Sequence, residues 1–344
     1  MEGVVLGRGG ASFWAGRPVL VTGCTGLLGS WLSEGLVRRG ARVSGLARGA
    51  PPPGGAFHRL GLEGRVAVAQ GSVTDASLLE GLFAEHSPRV VFHLAGQSQV
   101  GRARRELAET FEVNVRGTWT VLEAARGTGR LPAVVLASSA AVYADRGDAA
   151  HEEEEPLAGQ AAPYGASKAC AEAVGFSYYS ALGLPVSVAR CANLYGGGDP
   201  NPGRIVPGAL EAAHRGEAPV VRSDGRARRD YLHVEDAVEG YLALAEATER
   251  PDVAGQAFNL ASGEVASTLA LVEAILRACG RPDLAPRVLG EASDESQVVR
   301  LSTEKARCRL GWSARLPLEA GLAATVDWHR ANLLASRQTL EASS

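Results

Sequence analysis

The chain of 344 residues is 46% hydrophobic and 21% charged, with a formal net charge of −3. That length and composition fit one large α/β unit with a smaller one appended, and they exclude a disordered or fibrous chain. The near-neutral balance leaves no nucleic-acid footprint, and residues 1–16, with an acidic Glu2 and no long apolar run, give no expectation of a signal peptide or a membrane span.

From Arg17 the pattern is a short apolar run at Pro18–Thr22, a glycine turn, a helical stretch over 27–39 and a second apolar run over 42–47. Together these predict a βαβ unit. Further strands are expected at 66–70, 90–94, 133–138 and 186–190, with helices at 78–85, 110–125 and 168–182 between them. Strands alternating with helices predict a Rossmann-type, doubly wound parallel sheet. After Asn193 comes a loop with Gly196, Gly197, Gly198, Pro200, Pro202 and Gly203, the expected crossing into a smaller, discontinuous C-terminal lobe. Helices are expected there at 205–215, 234–248, 267–279 and 318–333. The expected division is a dinucleotide-binding unit over 13–192, rejoined by a segment near 229–260, and a second lobe over 193–228 and 261–335. The acidic run 152–155 reads as a solvated loop.

Three glycines at the mouth of the first strand, Gly23, Gly26 and Gly29, are spaced so that backbone amides of Thr25, Leu27 and Leu28 and a helix N-terminus can face a pyrophosphate. At the end of the second strand a carboxylate would bind the 2′-hydroxyl of NAD. This chain offers Gly45-Leu-Ala-Arg48, so Arg48 is either a partner for the 2′-phosphate of NADP or a surface residue. Ser72 and Val73 follow the third strand, where adenine would lie, and Leu94-Ala95-Gly96 ends the fourth.

Tyr164 and Lys168 stand one turn apart at the start of a predicted helix. All but two of the 35 basic residues are arginine, which makes a lysine at this position informative. An ammonium beside a phenol favours the phenolate, so Tyr164 is a candidate acid/base; the plain alternative is an exposed helix pair. Upstream, a strand ends in Ser138-Ser139, and Ser139 is placed to hydrogen-bond the oxygen that Tyr164 deprotonates, although two such serines alone read as a turn. The cysteines Cys24, Cys170, Cys191, Cys279 and Cys308 have neither a CxxC pair nor metal spacing; reduced structural thiols, a cytoplasmic setting and no metal site are expected.

The ordered set Thr22-Gly-x-x-Gly-x-x-Gly29, Leu94-Ala-Gly, Ser139, Tyr164-x-x-x-Lys168 and Arg229-Asp-Tyr resembles the extended short-chain dehydrogenase/reductase family, the nucleotide-sugar epimerases and dehydratases, over residues 13–330. The resemblance implies a Rossmann unit, a sugar-nucleotide lobe, tightly held NAD or NADP, and a homodimer. It places Asn114 and Ala137 with the cofactor. With the nucleotide-diphosphate sugar it places Gln97, Ser138, Asn193, Arg204, Ile205, Val206, Arg222 and Arg229. Arginines suit bidentate phosphate contact, though Arg226, Arg228 and Arg229 would also fit a solvated turn. Gln297 stands near where related enzymes carry a second phosphate-binding arginine.

Several segments, among them Gly29-Ser-Trp-Leu and the run from Arg190 to Asp199, are similar to the CDP-glucose 4,6-dehydratase branch. Where dehydratases carry an acid plus Glu or Lys after the serine, this chain has Ala140 and Ala141, as in 4-epimerases. The expected reaction is therefore 4-epimerisation through a 4-keto intermediate. The alternatives are a 4,6-dehydratase with its acid at Glu172, Asp199 or His233, a 4-keto-sugar reductase, and a nucleotide-binding protein without catalysis.

Overall fold

Val19, Leu20 and Val21 are fully buried, as are Val90–Phe92 and Val134–Val135, so these strands are covered on both faces, as parallel sheets require. The computed structural model describes residues 10–341 apart from 53, 158–161 and 292–296; residues 1–9 of the expected leaderless start lie outside it. In chain order α1 (Gly10–Trp14) leads to β1 (Pro18–Thr22), α2 (Leu27–Arg38), β2 (Arg42–Ala47), α3 (Ala56–Arg59), β3 (Ala67–Gln70), α4 (Ala76–His86) and β4 (Val90–His93). Next come α5 (Val100–Arg105), α6 (Leu107–Phe111), a π-helical turn (Glu112–Arg116), α7 (Gly117–Gly127), β5 (Ala133–Ser139), α8 (Pro163–Leu182) and β6 (Val186–Cys191). The rest is β7 (Asn193–Tyr195), α9 (Ile205–Arg215), β8 (Val220–Val221), β9 (Arg228–His233), α10 (Val234–Ala247), β10 (Gln256–Leu260), β11 (Val265–Ser267), α11 (Thr268–Ala278), β12 (Arg287–Val288), β13 (Val298–Val299), α12 (Glu304–Leu310) and α13 (Leu318–Glu341).

Seven parallel strands pair in the order β10-β6-β5-β4-β1-β2-β3. The winding direction reverses between β1 and β4, and a crevice opens there at the carboxyl ends of the strands. Alternate residues of β1 feed the two layers: Val19 and Val21 pack with Trp14, Leu36 and Phe92, and Leu20 with Leu79, Val121 and Leu136. A third core of Tyr195, Val206, Leu210, Leu271, Ile275 and Val326 lies under the small sheet of β11, β9, β13 and β7.

Two features differ from the sequence expectation. The helix expected over 110–125 is interrupted by the π-helical turn, whose extra residue turns Asn114 inward until it is 2% exposed. The loop expected as a free crossing is clamped. A side chain at Gly197 would run into the Trp328 ring of α13, and one at Gly198 (φ 79°) would meet the Ala56 backbone at 2.7 Å. The Trp31 indole N–H donates to the Gly197 carbonyl at 2.9 Å. Among the described residues no helix is long and apolar enough to cross a membrane, and Cys24 and Cys191 are buried free thiols.

Candidate active site

The glycine turn follows from the packing of β1 on α2. Gly23 adopts φ 74°, and a Cβ on Gly29 would overlap the Gly23 carbonyl oxygen, so the strand-to-helix turn closes only with glycine at both. Gly26 begins α2 and no side chain caps it, which leaves first-turn N–H groups for an anion. This donor set, with Ser72 and Val73 beyond β3 and Leu46 and Ala47 ending β2 on the same cavity, fits a dinucleotide lying across the switch point. Gly29→Ala is expected to lower the melting temperature and to weaken dinucleotide binding by about tenfold or more, read by calorimetric titration.

The crevice is a cavity of about 1350 Å³. Its wall brings together Gly23, Thr25, Gly26, Leu27, Leu28, Gly29, Arg48, Leu94, Ala95 and Gly96 on the turn side. Ala137, Ser138, Ser139, Tyr164 and Lys168 lie at the centre, and Asn193, Arg204, Ile205, Val206, Arg222 and Arg229 lie on the lobe side. Gln97 and Asn114 stand behind it. Asn114 accepts from the Gln97 amide at 2.7 Å and donates to the Gln97 carbonyl at 3.0 Å and to Ser167 Oγ at 2.9 Å, while the Gln97 side chain turns to Gln99 and Thr110. Gln97 therefore shapes the loop and does not present its amide to a substrate. The Arg48 side chain is 70% exposed, with Glu109 at 3.9 Å.

Pro163 at N1 starts α8, so Tyr164 sits in its first turn with Lys168 one turn on. Lys168 Nζ donates to the Ala137 carbonyl at 2.8 Å. Burial pushes the Tyr164 phenol up; the Ser139 hydroxyl bonded to it and the Arg204 guanidinium oppose that shift. Where the sequence led to a lowered phenol, burial has the larger effect here. Lys168 is itself driven down to about 8 by burial, against the pull of the Glu172 carboxylate. Ser139 Oγ accepts from the Ala141 amide at 3.2 Å, which leaves its proton for Tyr164 or a substrate oxygen. Ser138, next along the strand, points the other way and donates to Glu172 Oε1, so its hydroxyl is not offered to a substrate.

The acids expected from elsewhere are engaged. Glu172 is clamped by Arg190, with Nη2 to Oε2 at 2.7 Å; Asp199 pairs with Arg204 at 2.9 Å; and His233 is pushed down to about 4 by burial against Tyr195. Arg204 also donates to Ser98 Oγ at 3.1 Å, and Arg229 Nη1 to the Arg228 carbonyl at 2.9 Å. Tyr143, Cys191, Ala192, Tyr231 and Tyr241 line the cavity without having been foreseen. Cys191 and Ala192 were findable, because residues just past a strand's carboxyl end face the crevice. Tyr231 ends the Arg229-Asp-Tyr motif without having been given a place in the site, and nothing in the pattern marked Tyr143 or Tyr241.

Comparison with known proteins agrees with this geometry. Residues 19–261 match the profile of a family described as the NAD dependent epimerase/dehydratase family. A CDP-glucose 4,6-dehydratase from Salmonella typhimurium is 31% identical over 334 residues, 93% of this chain and 92% of that protein. A UDP-glucose 4-epimerase from Mycolicibacterium smegmatis is 33% identical over 316 residues, 90% of this chain and 98% of that protein. The solved structure of a dTDP-glucose 4,6-dehydratase from Streptomyces venezuelae with NAD bound superposes with a TM-score of 0.83 at 26% identity, covering 91% of this chain and 97% of that one.

Proposed function

Because the chain belongs to the NAD-dependent epimerase/dehydratase family, we propose that it is a 4-epimerase of a nucleotide-diphosphate sugar, with NAD or NADP in the glycine-turn half of the cavity. One observation carries the choice of reaction. Ala140 and Ala141 form the turn directly after Ser139 and present only methyl groups where an elimination needs a proton donor and acceptor. The carboxylates Glu172 and Asp199 are held by arginines, and Asp145 accepts from the Gly147 and Gln297 amides, which keep its carboxyl below the usual range. Tyr164, Lys168 and Ser139 meet at the end of β5, and this set suffices for an exchange at C4.

Asn193, Arg204, Arg222 and Arg229 hold the nucleotide and diphosphate while the sugar turns. Tyr164 takes the 4-hydroxyl proton, and Ser139 donates to the same oxygen as it becomes a carbonyl. A nicotinamide held at the glycine-turn side of the cavity would supply the hydride acceptor and donor that an exchange at C4 needs. After the keto sugar has turned its other face, Tyr164 gives the proton back, so mass is unchanged. Lys168 must be an ammonium to favour the phenolate, so kcat/KM is expected to fall as pH rises above about 8, measured from pH 6 to 10.

The test is mass spectrometry with proton NMR of the protein incubated with UDP-, CDP-, GDP- and dTDP-hexoses and NAD or NADP. An unchanged mass with a new sugar spin system is expected; loss of one water would establish a dehydratase instead. A second reading, a 4-keto-sugar reductase, is favoured by the carboxylate-free end of β2 with Arg48, which suits NADP; NADPH consumption with a 4-keto sugar and a gain of two hydrogens would establish it. The family likeness also supports a cytoplasmic homodimer, which sedimentation would test for its assembly.

A further inference from the structure

Directly behind Tyr164 and Lys168 lies a buried ion pair that the reaction does not touch. Glu172 follows Lys168 by one turn on the same face of α8. Its side chain is 1% exposed and that of Arg190, on β6, is 4% exposed. Arg190 Nε reaches both carboxylate oxygens at 3.1 Å, and its Nη1 donates to the Tyr143 hydroxyl at 2.8 Å and the Glu153 carbonyl at 2.9 Å. Ser138 Oγ adds a third donor to Glu172. The preceding residue, Ala137, is the one whose carbonyl holds Lys168. Two consecutive residues of β5 are thus tied to two residues of one helix face.

A buried ion pair is a poor brace, because desolvation cancels much of the attraction and apolar side chains of similar volume serve as well. A carboxylate differs from an apolar residue in acting on neighbouring charge. The titratable groups around Lys168 are Tyr164 and Glu172 on α8, Cys191 and Arg190 on β6, and His93 on β4. Burial pushes the Tyr164 phenol and the Cys191 thiol up and His93 down. Glu172 is the carboxylate of the set, ion-paired to Arg190.

We propose that Glu172 is a positioning residue that holds Lys168 in its ammonium form and, through Ser138, fixes the strand end that carries Ser139. The importance of that ammonium rests on the reading of Tyr164 and Lys168 given above; the electrostatic claim does not. The sign follows from the surroundings. Burial drives the lysine toward its neutral form, Glu172 opposes that, and an Arg190 left without its partner would push in the same direction as burial.

The chain's two lysines make the test direct, because lysine labelled with 13C at Cε gives two NMR signals in the full-length protein and a Lys305→Arg variant assigns them. Glu172→Gln keeps hydrogen-bonding groups facing Ser138 and Arg190 while removing the charge. The Lys168 midpoint is expected to fall by about one pH unit or more, and the alkaline limb of kcat/KM to move down with it. In Glu172→Met/Arg190→Met, where apolar side chains replace the pair, the midpoint is expected to fall by less. A Lys168 midpoint equal to wild type in either folded variant overturns the proposal, and so does failure of both to fold, which would make the pair a structural brace. The titration needs no substrate, so a wrong sugar or a wrong reaction leaves its outcome readable.

Discussion

Tyr164→Phe is expected to bind cofactor and nucleotide sugar nearly as the wild type does while turning over about 10³-fold more slowly, the range of a lost general acid/base. The substitution removes one oxygen from a ring that is otherwise packed, and the elements that hold it stay satisfied. Ser139 keeps its bond from the Ala141 amide, and Lys168 keeps the Ala137 carbonyl. The loss should fall on kcat and leave KM close to unchanged, because the lobe-side arginines proposed to hold the diphosphate are untouched. Stopped-flow absorbance at the reduced-nicotinamide band, with substrate in excess, reads the oxidation half-reaction directly. Turnover within about tenfold of wild type would remove Tyr164 from the mechanism, for epimerase, dehydratase and reductase alike.

Arg190→Leu is expected to cost about 3–5 kcal/mol of folding stability, the penalty of leaving a buried charge without its partner. Both side chains of the pair are almost wholly buried, so solvent screening does not discount it. The substitution also removes donors from the Tyr143 hydroxyl and the Glu153 carbonyl, two further anchors of the same layer. Urea unfolding monitored by circular dichroism measures the loss. Arg307→Leu is the control, since its partner Glu304 is as exposed as it is and the pair is expected to leave the midpoint unchanged. Equal midpoints for the two variants would mean that water reaches Glu172.

Much of the sheet was legible because parallel strands buried on both faces are short apolar runs, and β1, β2 and β4–β6 announce themselves that way. The glycine turn was legible for a steric reason: only residues without a Cβ let α2 approach β1 so closely. The π-helical turn was not. It carries Asn114 onto Gln97 and Ser167, contacts between segments that no local pattern encodes. Tyr164 and Lys168 were picked out by their spacing and Ser139 by its place at a strand end, but the carbonyl that holds Lys168 was not legible, because it lies 31 residues away on another strand. Glu172 was read as a spare acid for the same reason: its neighbour on the helix was visible and Arg190, a strand away, was not.

The clamped Gly197 and Gly198 bear on how the protein can be rebuilt. A segment rich in glycine and proline invites the exchange of everything beyond it for a relative's sugar-binding half. Here the joint is shared property. Trp31 holds it from α2, Ala56 from α3 and Trp328 from α13, close to the chain's far end. A chimera cut at the loop would inherit one side of a three-part fit, so the transferable unit is the loop together with those three contacts. Substrate range in this scaffold is therefore open to change inside the cavity, by single residues, more readily than by exchange of whole modules.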